Sequence, residues 1–149
     1  MSDQRLATEV CTIEMQLATG EELQGEVFLQ LVGAHGFGAQ RLDEVLNSED
    51  CFLPVRCHGE VTLFNLSQVA SISVPEDGEN DVLIKLGEHR QVSVCTTVGK
   101  QFEAEVYVNR PSTRSRVKDF LNQPHRFLPF FSDKRVVYLN LHYILQVKD

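Results

Sequence analysis

The chain has 149 residues, 42% of them hydrophobic and 23% charged, with a formal net charge of −7. These are ordinary values for a folded protein of single-domain length. No stretch approaches the ~20 consecutive apolar residues of a membrane-spanning helix, so a membrane is not an expected partner. The acidity works against sequence-independent binding of nucleic acid, which needs a basic surface.

In chain order, the first residues M-S-D-Q-R-L-A-T-E-V carry no basic start followed by an apolar run. The expectation is therefore a cytoplasmic protein whose four cysteines (11, 51, 57 and 95) stay reduced. From Val10, V-C-T-I-E-M-Q-L alternates apolar and polar residues, the period of a half-buried strand. Thr19-Gly20 turns the chain, and Leu23 to Leu31 resumes the alternation, giving a hairpin. A Gly-rich loop follows at Gly33 to Gly38, with His35 and Phe37 as residues able to cap a barrel or touch a partner. Leu42, Val45 and Leu46 stand at helical spacing, with Asn47 as a left-handed C-cap. Phe52 to Val55 re-enters a sheet, and Pro54 points to a strand end or an edge. His58-Gly59 turns, and Val61 to Leu66 and Val69 to Val74 read as two short strands. Residues 75–81, P-E-D-G-E-N-D, read as a linker. Val82 to Leu86 then reads as a strand able to pair back on Val69 to Val74. Gln91 to Val98 and Phe102 to Asn109 read as a second hairpin. Ser115 is the expected N-cap of a short helix ending at Asn122, and three strands over Phe127 to Val147 close the chain.

This order occurs twice. R-L-D-E-V-L-N-S-E-D-C-F-L-P-V from Arg41 matches R-V-K-D-F-L-N-Q-P-H-R-F-L-P-F from Arg116 at an offset of 75 residues. V-T-L-F-N-L from Val61 matches V-V-Y-L-N-L from Val136 at the same offset, with Asn65 and Asn140 in register. The first hairpin matches the second at an offset of 79, the difference falling in one loop. The expected organisation is a duplication: a first β unit at 1–74, a turn at 75–81 and a second β unit at 82–149. A unit of that size buries only roughly 60% of its unfolded surface, so the two are expected to pack together.

A bent hairpin, a connecting loop and a closing strand pair resemble SH3-like barrels, and Sm-like barrels in particular. The run G-E-E-L-Q-G-E-V-F from Gly20 is similar to the second strand of such barrels. The resemblance implies a mainly β fold of two tandem small barrels, each with one short helix. It departs from Sm proteins in two ways. The helix falls after the second strand instead of before the first. The Asp-x-apolar-Asn loop and the Arg-Gly pair that contact RNA in that family are absent from both halves. The unit also resembles uncharacterised bacterial domains with the pattern R-apolar-x-D-apolar-L-N…F-apolar-P, which implies no known activity.

The signature shared by the halves, Arg41, Asn47, Pro54 and Asn65 with Asn122, Pro129 and Asn140, is explained chiefly by structure. An arginine at a helix start opposes the helix dipole, so it needs a partner such as Asp43 or a carbonyl of the other half. Cys51, Cys57 and His58 do not match a zinc spacing, and no motif of nucleophile and base or phosphate loop is present. The expectation is a protein that is not an enzyme and holds no cofactor or metal.

Charge separates the halves. Residues 1–74 hold three basic residues against eleven acidic, a net of −8, whereas 75–149 are at +1. Arg110, Arg114, Arg116, Lys118 and Arg126 form the one basic cluster. It reads as a docking surface for an acidic partner, Asp43, Glu44, Glu49 and Asp50 of the first half included. It reads alternatively as a solvated face, or as a site for RNA or DNA. Unlike charges on equivalent faces favour head-to-tail contact. The function expected is protein–protein interaction or scaffolding, with a protein partner or self-association; the alternative is nucleic-acid binding through the second half.

Overall fold

The structure, a computed structural model, describes residues 8–30, 41–78, 81–109 and 116–149. His35, Phe37, Arg110 and Arg114 lie outside them. The fold is mainly β: ten antiparallel strands in one sheet that is open, not closed into a cylinder, and two short helices.

The N-terminal half contributes β1 (Thr8–Leu17), β2 (Glu22–Gln30), α1 (Leu42–Leu46), β3 (Phe52–Cys57), β4 (Glu60–Asn65) and β5 (Val69–Pro75). The C-terminal half contributes β6 (Glu88–Thr96), β7 (Gln101–Val108), α2 (Val117–Leu121), β8 (Phe127–Ser132), β9 (Arg135–Asn140) and β10 (Ile144–Lys148). The strand order is β10-β6-β7-β8-β9-β5-β1-β2-β3-β4. Each half therefore follows the same path, its last strand lying beside its first. The halves join where β9 pairs with β5.

Local chemistry places the turns. Gly20 and Gly99 take φ of 92° and 86° at the two long hairpins, a region open to glycine at little cost. His58-Gly59 and Asp133-Lys134 all take positive φ, the geometry of tight two-residue hairpins. In each half a short 3-10 turn, Leu66–Gln68 or Leu141–Tyr143, follows an asparagine whose side chain accepts from the backbone N–H two residues on. Matching backbone bonds tie both turns down: Leu66 N–H donates to Cys51 O at 2.8 Å and Leu141 N–H to Arg126 O at 3.0 Å.

Several local expectations are corrected. Val82–Lys85 is a 3-10 turn, not a strand. Both edges of β5 are already occupied, by β1 and β9, so no place remains for a third neighbour. Pro75, assigned to the linker, lies in β5 opposite Arg135. The N-cap of α2 is Arg116, one residue beyond the expected Ser115. Asn47 is the C-cap of α1 but with φ −108°, not left-handed, and Asn122 of α2 is alike at φ −97°; in both, the side chain donates to the carbonyl four residues back. Pro54 sits inside β3, opposite Leu63 of β4. It is tolerated because β3 meets β2 at only one residue pair, Glu26 with Arg56, so the missing N–H interrupts no ladder there. Pro129 repeats this in β8, whose one pair with β7 is Glu105 with Phe131.

The core is two clusters. One gathers Ile13, Met15, Val27, Leu42, Leu46, Val55, Val69 and Ile72 of the N-terminal half, together with Phe127, Phe131, Val136 and Tyr138 of the other. The second lies wholly in the C-terminal half, around Val94, Val106, Phe120, Phe130 and Leu139. β8 and β9 are thus covered on both faces, which their near-continuous apolar sequence allows.

Gly87 opens β6 with φ +101°, and a Cβ there would collide with Val108 O and the following backbone. Gly87→Ala is expected to lower stability by about 1–3 kcal/mol, read as a fall in the urea midpoint at unchanged slope; an unchanged midpoint would contradict the tight turn.

Candidate functional site

The residues that could act on a partner are best located by first seeing which ones hold the halves together. Asn140, buried beside the β5–β9 ladder, donates from Nδ2 to Leu66 O at 3.2 Å and Val69 O at 3.0 Å. Asn47 donates to Phe127 O at 3.0 Å and accepts from the Arg126 and Phe127 N–H groups at 2.9 and 2.8 Å. These two side chains satisfy backbone groups that neither half satisfies alone. Arg126 wraps the C-terminal end of α1, donating from Nη2 to Leu46 O at 3.0 Å and Asp50 O at 2.9 Å. A cation suits these carbonyls, the negative end of the helix. Arg135 donates to Ser73 Oγ at 3.2 Å and Ser73 O at 3.1 Å. Tyr143 hydroxyl donates to Ser67 O. Burial, followed by the nearby Asp43 charge, pushes the Tyr138 phenol well above its usual range.

Of the predicted basic cluster, Arg116, Lys118 and Arg126 lie among the described residues. Arg126 is spent on the seam. Arg116 caps α2 and pairs with Asp119 at 3.2 Å, its side chain largely exposed. Lys118 is exposed on the same helix. Arg41 pairs with Asp43 at 3.0 Å, the partner expected for an arginine at a helix start, and this hydrogen bond raises its already high pKa. In both helices the acid three residues on, Glu44 or Asp119, accepts from the arginine's own backbone N–H. Among the described residues no three His, Cys, Asp or Glu side chains come close enough to hold a metal; Cys51 is exposed and Cys57 half-buried.

A cleft of about 620 Å³ lies between the halves, lined among others by Glu14, Glu22, Leu23, Lys100, Phe102 and Arg135. His58, Cys57 and His125 do not line it. Its cations face its own carboxylates: Lys100 Nζ is 2.7 Å from Glu22 and Arg135 Nη2 is 3.6 Å from Glu14. The hydrogen bond from Lys100 holds the Glu22 carboxyl below its usual range. The charges close the cleft across the halves instead of converging on an empty centre.

The sheet ends are different. Among the described strands, β4 and β10 each have one neighbour, so each presents a row of backbone donors and acceptors that no described strand pairs. Around these rows, positions buried at the seam reappear bare. Val136 and Tyr138 are 0% and 4% exposed, but their counterparts on β4, Val61 and Leu63, are 60% and 63% exposed. Phe127 is fully buried, and its counterpart Phe52 is 53% exposed. On the other side, Ala70 is 2% exposed and its counterpart Leu145 is 65% exposed. Leu46, Val69 and Ile72 are buried, whereas Leu121, Ile144 and Val147 are only half-buried. Apart from these ends, exposed large apolar residues among the described ones are Val10 and the turn residues Val82, Leu83 and Leu86.

The same substitution of settings affects the asparagines. Asn65 and Asn122, counterparts of Asn140 and Asn47, bond only within their own half, Asn65 to Ser67 and Asn122 to Lys118 O. Alternation in the sequence marked these strands as strands; the signal that separates the covered copy from the bare one is the near-continuous apolar run of β8 and β9, where β3 and β4 carry Arg56 and Thr62. Comparison with protein-family models, with characterised proteins and with solved structures finds no match.

Asn140→Ala leaves two buried carbonyls unpaired and is expected to lower stability by about 1–3 kcal/mol. In dilute solution Asn65→Ala removes only a turn cap and is expected to cost about 1 kcal/mol or less. Urea unfolding of both variants checks this; equal losses would contradict the seam's polar network.

Proposed function

We propose that the protein is a non-enzymatic interaction or scaffold module, built by duplication of a small SH3- or Sm-like β unit and acting in the cytoplasm. The carrying observation is the pair of open sheet ends, where Val61, Leu63 and Leu145 stand exposed beside unpaired strand edges. An exposed edge is a ready template for another strand, and alternate apolar side chains beside it give selectivity. Exposed apolar side chains beside an open strand edge favour association. The unequal charge of the halves adds orientation, since an acidic end and a near-neutral end meet different partners at different rates.

The alternative, nucleic-acid binding through the C-terminal half, draws on Arg110, Arg114, Arg116, Lys118 and Arg126. Two observations count against giving that surface to phosphates. Arg126 is engaged by carbonyls of the N-terminal half, and Arg116 is paired with Asp119. Enzymatic action in the interhalf cleft is disfavoured on similar grounds, because Lys100 and Arg135 face Glu22 and Glu14.

Capture of the intact protein from its source cell, with and without nuclease, separates the readings. Protein partners are expected to survive nuclease and to fall several-fold with Leu63→Glu, which charges the β4 edge without touching the core. Loss of partners on nuclease treatment, with no effect of Leu63→Glu, would overturn the scaffold reading in favour of nucleic acid.

A further inference from the structure

The two open ends are not merely sticky; they are the two sides of a junction the molecule already contains. At the seam, the C-terminal half offers its fourth strand, β9, and the N-terminal half accepts it on its fifth, β5. At the ends, the N-terminal half holds an unused fourth strand, β4, and the C-terminal half an unused fifth, β10. We infer that a second copy of this chain occupies each end: β4 of one molecule pairs antiparallel with β10 of the next, in the register of β9 on β5. This inference rests on the reading of those edges as interaction surfaces and names their partner.

The seam supplies the pairing in detail. Its ladder sets Leu139 opposite Ser71, Tyr138 opposite Ile72 and Val137 opposite Ser73. Shifted by 75 positions, it sets Phe64 opposite Gln146, Leu63 opposite Val147 and Thr62 opposite Lys148. Phe52, Val61 and Leu63 then cover Leu121, Ile144 and Val147, the residues whose counterparts are fully buried at the seam. The polar contacts transfer as well. Asn140 donates to Leu66 O and Val69 O, so Asn65 reaches Leu141 O and Ile144 O of the neighbour. Asn47 grips the backbone of Arg126 and Phe127, so Asn122 grips that of Cys51 and Phe52. In the single chain the hydrogen bonds of these two side chains stay within their own half.

Charge favours this partner over a symmetric one. Arg135 meets Ser73 across the seam; their counterparts are Glu60 on β4 and Lys148 on β10, an opposite-charge pair lying diagonally across the new ladder. Pairing β4 with β4 would instead press together two halves of net charge −8, and like charges at an interface repel. The contact is heterologous, so it propagates into a closed ring or an open filament. It is also weaker than the seam, because Cys51 stands where Arg126 clamps the helix end, and assembly therefore depends on concentration.

Sedimentation velocity of the intact chain from about 1 µM to about 1 mM, a span from moderate to weak association, tests the inference. The mass is expected to rise above 16.9 kDa in whole-chain multiples. Leu63→Glu blocks only the β4 end and Leu145→Glu only the β10 end, and both side chains are exposed in the single chain, so both variants keep the wild-type circular dichroism. Each alone stays monomeric, but an equimolar mixture forms a dimer and stops there, since each variant retains the end that the other lacks. Asn65→Ala and Asn122→Ala, which add no charge, each weaken wild-type assembly by about tenfold, the effect of leaving buried backbone groups unpaired. A wild-type chain that is monomeric throughout, or a single end-blocked variant that still assembles, would overturn the inference. In the first case the capture experiment decides independently whether the scaffold reading survives with a different partner.

Discussion

The antiparallel ladder between β5 and β9 is the constraint on which the rest of the structure depends. A β unit of about 75 residues buries a limited share of its surface and is marginal alone. The ladder brings the outer face of β8 and β9 onto the N-terminal half, where Phe127, Phe131, Val136 and Tyr138 complete its core. The backbone pairing fixes register, and register decides which side chains face inward, since a slip of one residue would turn Val136 and Tyr138 away from the core. Apolar burial and hydrogen bonding thus specify the same alignment. Asn47 and Asn140 hold it at two points where backbone groups would otherwise be buried without partners.

The halves share a chain path but do not do the same work. The C-terminal half is covered on two sides, and its β8 and β9 carry Phe127, Phe131, Val136 and Tyr138 at the covering positions. The corresponding residues of the N-terminal half, Phe52, Arg56, Val61 and Leu63, are more exposed and include a charge, Arg56, paired with Glu26 at 2.6 Å. Arg126, which clamps the end of α1, has only Cys51 as its counterpart. The internal junction is therefore the stronger version of a contact whose outer version is left unfilled within one molecule. That difference makes the internal seam structural, and it is the ground for the proposal that the outer one serves reversible association.

Much of this was legible in the sequence, because the matched segments from Arg41 and Arg116, and from Val61 and Val136, already implied two similar halves with hairpins and one short helix each. Alternation located the strands, since period two is imposed by the pleat itself. It could not say which strand lies beside which. The pairing of β5 with β9, and hence one open sheet in place of two separate closed units, depends on contacts between residues far apart in the chain. The same limit explains the individual misses. Val82 to Leu86 has strand composition, but both edges of β5, its expected partner, are taken by β1 and β9. Pro54 reads as an edge residue until the near-absence of pairing between β3 and β2 is seen. Asn47 looked like a left-handed helix cap, but its side chain caps Asp43 O and also reaches Arg126 and Phe127, contacts across the halves that a sequence does not display. Arg126 reads in the sequence as part of a docking surface; its contact with the first half is to the carbonyls of Leu46 and Asp50, acceptors that a sequence does not display.

Native-state hydrogen exchange tests the central claim most directly, by asking whether the β5–β9 ladder belongs to the same cooperative unit as the interior of each half. In dilute solution the paired amides of β5 and β9 are expected to be as strongly protected as those of β6 and β7, opening only with global unfolding, while the outward amides of β4 and β10 exchange far faster. Fast exchange throughout the β5–β9 ladder, with slow exchange kept inside each half, would contradict it: the halves would then be separate units lying side by side.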